Sequence, residues 1–189
     1  PRPCIGFTLG GVTNLFAESP SVKVCADDIG PGGIAKIEAL YGNEWYVAPD
    51  GDDASSGFSP DTPKATFAAL MPCVAPGDIV YAAPGVYSNG VTTAEGETVG
   101  ARLRVPSGCT VIAPAGAAET TILGGENIRC VYLEEQAVIR GFTLSGGRAS
   151  SSSSVASDRL GGAILGGRDH GYLAGYGIEA FGCVVTNCC

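Results

Sequence analysis

The sequence predicts an all-β protein built as a single-stranded solenoid of short stacked strands, with one helix capping its N-terminal end. Three observations predict it. Short apolar runs recur from Ile79 to Thr186, each broken by Gly, Pro or a small polar turn; comparable runs stand 28 and 32 positions apart; and a strand, an acidic turn and a helix-forming segment precede them between Trp45 and Met71. Brief β-branched and aliphatic runs bounded by turns read as buried strands. A loose period within roughly 20 to 50 residues marks a repeat whose units must stack, because one unit cannot bury its apolar face alone.

Composition fits that reading and narrows the function. The chain has 189 residues, enough for one main domain with its own core. It carries 29 Gly and 12 Pro, yet 45% of its residues are hydrophobic, so it is turn-rich without being disordered. The net charge is -8, and the eleven Lys and Arg residues do not cluster, which speaks against a nucleic-acid partner. No apolar run approaches the roughly 18 residues of a membrane span. Eight cysteines favour an oxidising compartment. A zinc site is not expected: there is no C-x-x-C pair, and Cys183, Cys188 and Cys189 have the wrong rhythm. Cys109 and Cys130 suit either a disulfide or a place as small apolar core residues. No cofactor is expected.

Residues 1–44 share no pattern with the rest of the chain and read as an N-terminal extension or the tail of a preceding domain. Ile5 to Leu9 and Ser21 to Cys25 alternate weakly as strands do, and Gly33 to Tyr41 fits two turns of helix. From Glu44 a short strand runs to Ala48, followed by turn chemistry from Pro49 to Pro60. Thr62 then suits an N-cap with Pro63 at the first helical position, and Pro72 limits the helix to about Met71. Phe67, Leu70 and Met71 fall on one face, giving an amphipathic helix able to cover the open end of a strand stack.

Strands are expected at Ile79–Ala83, Cys109–Ala113, Thr120–Leu123, Cys130–Leu133, Ala137–Leu144, Gly162–Leu165 and Gly182–Thr186. Val111 and Ile139 are 28 positions apart, and Leu133 and Leu165 are 32 apart. Val111, Ile122, Val131, Leu133, Ile139, Phe142, Leu144 and Val185 are expected to point inward, and Arg140 outward. The serine-rich segment 148–158 cannot bury enough apolar surface to offset ordering and reads as a loop between coils.

Two stretches carry a family resemblance. Trp45-Tyr-Val-Ala-Pro-Asp-Gly-Asp-Asp through Gly77-Asp-Ile-Val-Tyr-Ala-Ala-Pro-Gly-Val-Tyr87 resembles the opening segment of right-handed parallel β-helix proteins, and Ala137-Val-Ile-Arg-Gly-Phe-Thr-Leu-Ser-Gly-Gly147 resembles one of their coils. The resemblance to this pectate-lyase-like superfamily of secreted and cell-surface bacterial proteins covers residues 45–189. It implies a cap and about four to five coils, with further coils expected past Cys189. One such scaffold hosts lyases, hydrolases, adhesins and spacers, so it specifies the fold and leaves the reaction open.

The chemistry-bearing residues are few. Asp50, Asp52 and Asp53 do not match a calcium loop, because Gly51, Ser55 and Gly57 break the required spacing, and turn formation is the better reading. Lyases on this fold need carboxylate-held calcium and a basic residue, and hydrolases need two or three close aspartates. The apolar runs from Ile79 onward hold no carboxylate, Glu179 lying just before the last, so an acidic constellation would draw on Glu134, Glu135, Asp169 or coils past Cys189. Arg168, Asp169, His170, Tyr172 and Tyr176 gather a cation, a carboxylate, the only histidine and two aromatic rings, a set suited to sugar stacking and hydrogen bonding, though an ordinary solvated loop is the better reading of the segment. No serine elbow or phosphate loop is present. The expected function is a non-catalytic extracellular or cell-surface module for display or carbohydrate contact, with a polysaccharide as partner. The alternative is the front part of a secreted polysaccharide lyase or glycoside hydrolase whose catalytic coils lie beyond residue 189.

Overall fold

The computed structural model describes residues 43–93, 97–150, 159–166 and 179–189, together with three N-terminal strands. Those three are β1 (Cys4–Leu9), β2 (Val12–Leu15) and β3 (Ile37–Tyr41), an antiparallel sheet in the order β2-β1-β3. The helix expected across Gly33–Tyr41 is therefore corrected at its C-terminal half. Ala39 lies opposite Phe7 on β1, and long-range pairing overrides the local helical preference. Ser21–Cys25 lies outside the described residues.

From Asn43 onward the described chain is mostly β, with one short α-helix followed directly by a 3-10 turn over Met71–Cys73. The strands are β4 (Glu44–Val47), β5 (Ile79–Ala82), β6 (Gly85–Tyr87), β7 (Gly100–Val105), β8 (Thr110–Ile112), β9 (Thr120–Leu123) and β10 (Ile128–Leu133). They continue with β11 (Val138–Arg140), β12 (Thr143–Ser145), β13 (Ile164–Gly166), β14 (Glu179–Phe181) and β15 (Val184–Thr186). Three parallel sheets result, ordered β14-β11-β8-β5-β4, β15-β12-β9-β6 and β13-β10-β7. From β7 the chain visits the three-, five- and four-stranded sheets in turn, three times over.

Stacking in register explains why the apolar runs recur. Trp45, Val80, Val111 and Ile139 are successive Cα partners, and all four are buried. Tyr87, Ile122 and Leu144 form a second buried row, and Leu103 with Val131 a third. The 28-residue spacing of Val111 and Ile139 is thus a true rung. Leu165 instead pairs with Tyr132, and Leu133 with Gly166, so the 32-residue match is off by one. The run Ala137–Leu144 divides into β11 and β12 at Gly141, whose φ of +77 and whose closeness to the Ala113 carbonyl leave no room for a side chain. Phe142 sits directly after that bend and is fully buried, while Arg140 faces out.

Val185 departs from its expected inward place. It pairs in register with Leu144 yet is 55% exposed, because no described strand lies beyond β15 to cover it. Sequence reading also missed β7 and β14. In β7 two arginines interrupt the apolar pattern, but Arg102 is buried and donates to the carbonyls of Leu123 (2.9 Å) and Gly90 (2.6 Å), which satisfies its charge locally.

Helix α1 (Phe67–Leu70) begins later than Thr62 and Pro63 suggest, and its N-cap is Thr66, whose hydroxyl accepts from the Ala69 N–H at 3.1 Å. The reason lies in the segment before it. Lys64 donates its N–H to the Tyr46 carbonyl, and its own carbonyl accepts from Ala48, so residues near Pro63 run extended beside β4 and cover that edge. Asp53 fixes the transition into the helix by accepting from the N–H groups of Ala65 (2.9 Å) and Thr66 (2.8 Å) and from the Thr66 hydroxyl. Phe67 then packs into the interior against Tyr87 (4.7 Å between ring centroids) and Phe142 (6.4 Å).

Two predictions test this core. Phe142→Ala should cost about 3 to 5 kcal/mol in urea unfolding, and a loss below about 1 kcal/mol would contradict the inward packing. Burial pushes the Cys109 thiol up from 9.0 to about 12, with Asp78 and Glu134 adding to the rise. The unfolded chain therefore loses this proton first, so the contribution of Cys109 is complete below pH 9 and is lost as pH climbs toward about 12. Unfolding midpoints measured from pH 8 to 11 should fall less steeply in Cys109→Ala than in the parent.

Candidate functional site

Alternation in two strands builds the most site-like surface. In β4 and β5 the burial pattern places Trp45, Val47, Val80 and Ala82 inside, which turns Tyr46 and Tyr81 to the other face. The two tyrosines are partners in register, and their rings stack with centroids 5.5 Å apart and planes at 29°. The row continues through Ile112 and Arg140 to Phe181, with the Arg140 guanidinium 4.8 Å from the Phe181 ring centre. The Tyr46 hydroxyl donates to Glu44 Oε2 at 3.4 Å.

Beside the tyrosine pair lies a cleft of about 260 Å³, lined by Tyr46, Tyr81, Pro60, Pro63, Pro84 and Pro114 among others. Prolines fix φ and offer no N–H, so these walls are stiff and apolar. The lining carries no charged residue. Such a cleft accommodates a flat apolar face with polar groups at its rim. It was legible in principle: Tyr46 follows an inward Trp45 and Tyr81 an inward Val80, 35 positions apart, with Pro49, Pro60 and Pro63 after the first strand and Pro84 directly after the second.

A second cluster occupies the three-stranded sheet. Arg104 and Tyr132 are partners in register, with the guanidinium 5.0 Å from the ring centre. Arg104 Nε donates to Glu134 Oε1 at 2.7 Å, and Glu134 Oε2 accepts from the Ser107 N–H and hydroxyl at 3.2 Å each. Arg129, with a fully buried side chain, donates to the Leu160 (3.0 Å) and Val99 (2.9 Å) carbonyls and pairs with Glu97 Oε2 at 3.3 Å. Burial raises the Tyr132 pKa, with Glu97 and Glu134 adding to the rise and Arg104 and Arg129 opposing it. The space between Glu97, Arg104, Arg129 and Tyr132 has no room for a water molecule. Two carboxylates do approach one tyrosine here, but each is engaged by an arginine, so the geometry holds the sheet together and presents no free base to a substrate.

Arg168, Asp169, His170, Tyr172 and Tyr176 lie outside the described residues. Of the other carboxylates singled out in the sequence, Glu134 belongs to the arginine cluster and Glu179 opens β14 on an exposed position. Asp52 accepts from the Ala54 N–H at 2.9 Å, and Asp53 holds the helix start, so both act in the turn. Among the described residues no group of three or more His, Cys, Asp and Glu is placed to hold a metal ion, and no helix is long and apolar enough to cross a membrane.

No protein-family model matches the chain, and no curated protein matches it. Among solved structures, a rhamnogalacturonan lyase is similar over 59% of this chain, at 21% identity and a TM-score of 0.40. The aligned part spans 31% of that enzyme's length.

The arginine cluster predicts a stability effect. Glu97→Ala would remove one carboxylate partner of the buried Arg129, and the loss in unfolding free energy should be about 1 to 3 kcal/mol. Glu126→Ala, which removes an exposed partner 3.7 Å from Arg148, should change stability by less than about 1 kcal/mol.

Proposed function

We propose that residues 45–189 form a right-handed parallel β-helix module, displayed outside the cell, that contacts carbohydrate without turning it over. The ordered rotation of the chain through three parallel sheets supports the β-helix reading. The Tyr46–Tyr81 pair beside its proline-walled cleft carries the carbohydrate reading. A pyranose ring presents an apolar C–H face, and aromatic side chains stack on such faces while their hydroxyls and neighbouring polar groups bond the ring's oxygens. Successive coils stand about 4.8 Å apart, so a row of outward side chains offers repeated contacts along a sugar chain. No charged residue lines the cleft, and the carboxylate at its edge is that of Glu44, which suits a neutral sugar better than a uronate.

One observation favours the second reading, the front part of a polysaccharide lyase or glycoside hydrolase. Tyr132 lies among two arginines and two glutamates on one sheet. In that reading the cluster would open when the substrate binds. The extracellular placement rests on the eight cysteines.

Titration calorimetry against neutral and uronate oligosaccharides separates these readings. The parent should bind a neutral oligosaccharide, and Tyr81→Ala should weaken binding by about tenfold or more, equivalent to about 1.4 kcal/mol of lost stacking, with its unfolding midpoint within a few degrees of the parent. Binding unchanged by Tyr81→Ala would remove the cleft from the account. Formation of unsaturated uronate on pectin or alginate would establish the lyase reading in its place.

A further inference from the structure

Cys130 and Cys188 are separated by 58 positions, yet their sulfurs lie 3.9 Å apart. Both backbones are fixed on their own account. The Cys130 N–H donates to the Gly162 carbonyl at 3.1 Å, while next to Cys188 the Cys189 N–H donates to the Gly147 carbonyl at 3.0 Å and the Cys189 carbonyl accepts from Ala149. The corner that brings them together is packed through glycine: a Cβ on Gly147 would fall 2.9 Å from Cys130 Sγ and clash with the Gly162 carbonyl oxygen. Cys130 belongs to the buried core and Cys188 packs against it while remaining partly accessible.

From this geometry we infer that Cys130 and Cys188 form a disulfide in the protein, stapling the end of the last described circuit, just after β15, to β10 at the start of the circuit before it. The approach needed is about 2 Å, from the present separation to a bonded S–S distance of about 2.05 Å, within reach of side-chain rotation at the accessible partner. The chemistry is thiol–disulfide exchange with a small disulfide oxidant such as oxidised glutathione. The Cys188 thiolate attacks one sulfur of the oxidant and one glutathione thiolate leaves. The Cys130 thiolate then attacks Cys188 Sγ, the second glutathione thiolate leaves, and the two protons released by the cysteines are taken up by the two glutathione thiolates. Only Cys188 has to meet the oxidant, as the burial of Cys130 requires. Burial and the neighbouring Cys188 push the Cys130 thiol up to about 12, so closure is slow at neutral pH and quickens as pH rises.

Trypsin cuts after Arg129 and Arg140 and after Arg168, placing Cys130 in a peptide of its own and Cys183, Cys188 and Cys189 together in the C-terminal peptide. The full chain, purified without reductant and incubated with oxidised glutathione, is digested with free thiols alkylated and analysed by mass spectrometry. A linked pair of these two peptides is expected, lost in Cys188→Ser and retained in Cys183→Ser and Cys189→Ser. Alkylated Cys130 in the oxidised parent would overturn the inference, as would a link that persists in Cys188→Ser. Cys188 is partly exposed and its replacement by serine preserves its size, so the variant should fold, which circular dichroism checks.

Discussion

Each strand from β4 onward must bury its inward side chains on those of the strand stacked beside it, and the rest of the structure depends on that requirement. The row Trp45, Val80, Val111, Ile139 shows how it operates, since every member is dry only because the next is in register. A slip of one residue would turn the apolar set outward and place Tyr46, Tyr81 or Arg140 in the core. The hydrophobic effect thus sets register as well as stability. It also explains the first and last strands. At β4 the free edge is covered by the segment around Lys64 and the interior is plugged by Phe67, whereas at β15 Val184 and Val185 remain about half exposed.

The same alternation that builds the interior generates the outer surface, so the candidate binding face is a consequence of the core. Tyr46 and Tyr81 stack because Trp45 and Val80 stack beneath them. Polar features obey a different rule, being tolerated where their partners are immediate. Asp78 is almost fully buried and accepts from the Trp45 indole (2.8 Å) and from the N–H groups of Asn43 and Ala75, so it ties the start of β4 to the turn before β5. Arg129 and Arg102 are buried against backbone carbonyls in the same manner. A protein with short strands and long connections gains rigidity from such ties, because each one orders two loops at once.

These ties bear on function. A surface that recognises an extended ligand by stacking loses affinity if its rows shift against one another, since ordering them would oppose binding. Proline walls and buried arginines keep the outer rows in place, and the proposed Cys130–Cys188 disulfide would add to them. The arginine cluster on the three-stranded sheet is closed for the same reason: its carboxylates are engaged in holding loops to strands.

The sequence by itself determined the all-β class, most strand positions, the fully buried places of Phe142, Ile139 and Val111, and the outward place of Arg140, because period-two burial and glycine turns are local properties. It could not determine the helix start, since Thr62 and Pro63 satisfy every local rule for a cap and lose that role only to the pairing of Lys64 with β4. Nor could it identify β7, where Arg102 looks exposed until carbonyls from two distant segments surround it. The tyrosine cleft and the Cys130–Cys188 approach are of the same kind. Each joins residues tens of positions apart, and only the tertiary stacking of successive circuits decides which of them meet.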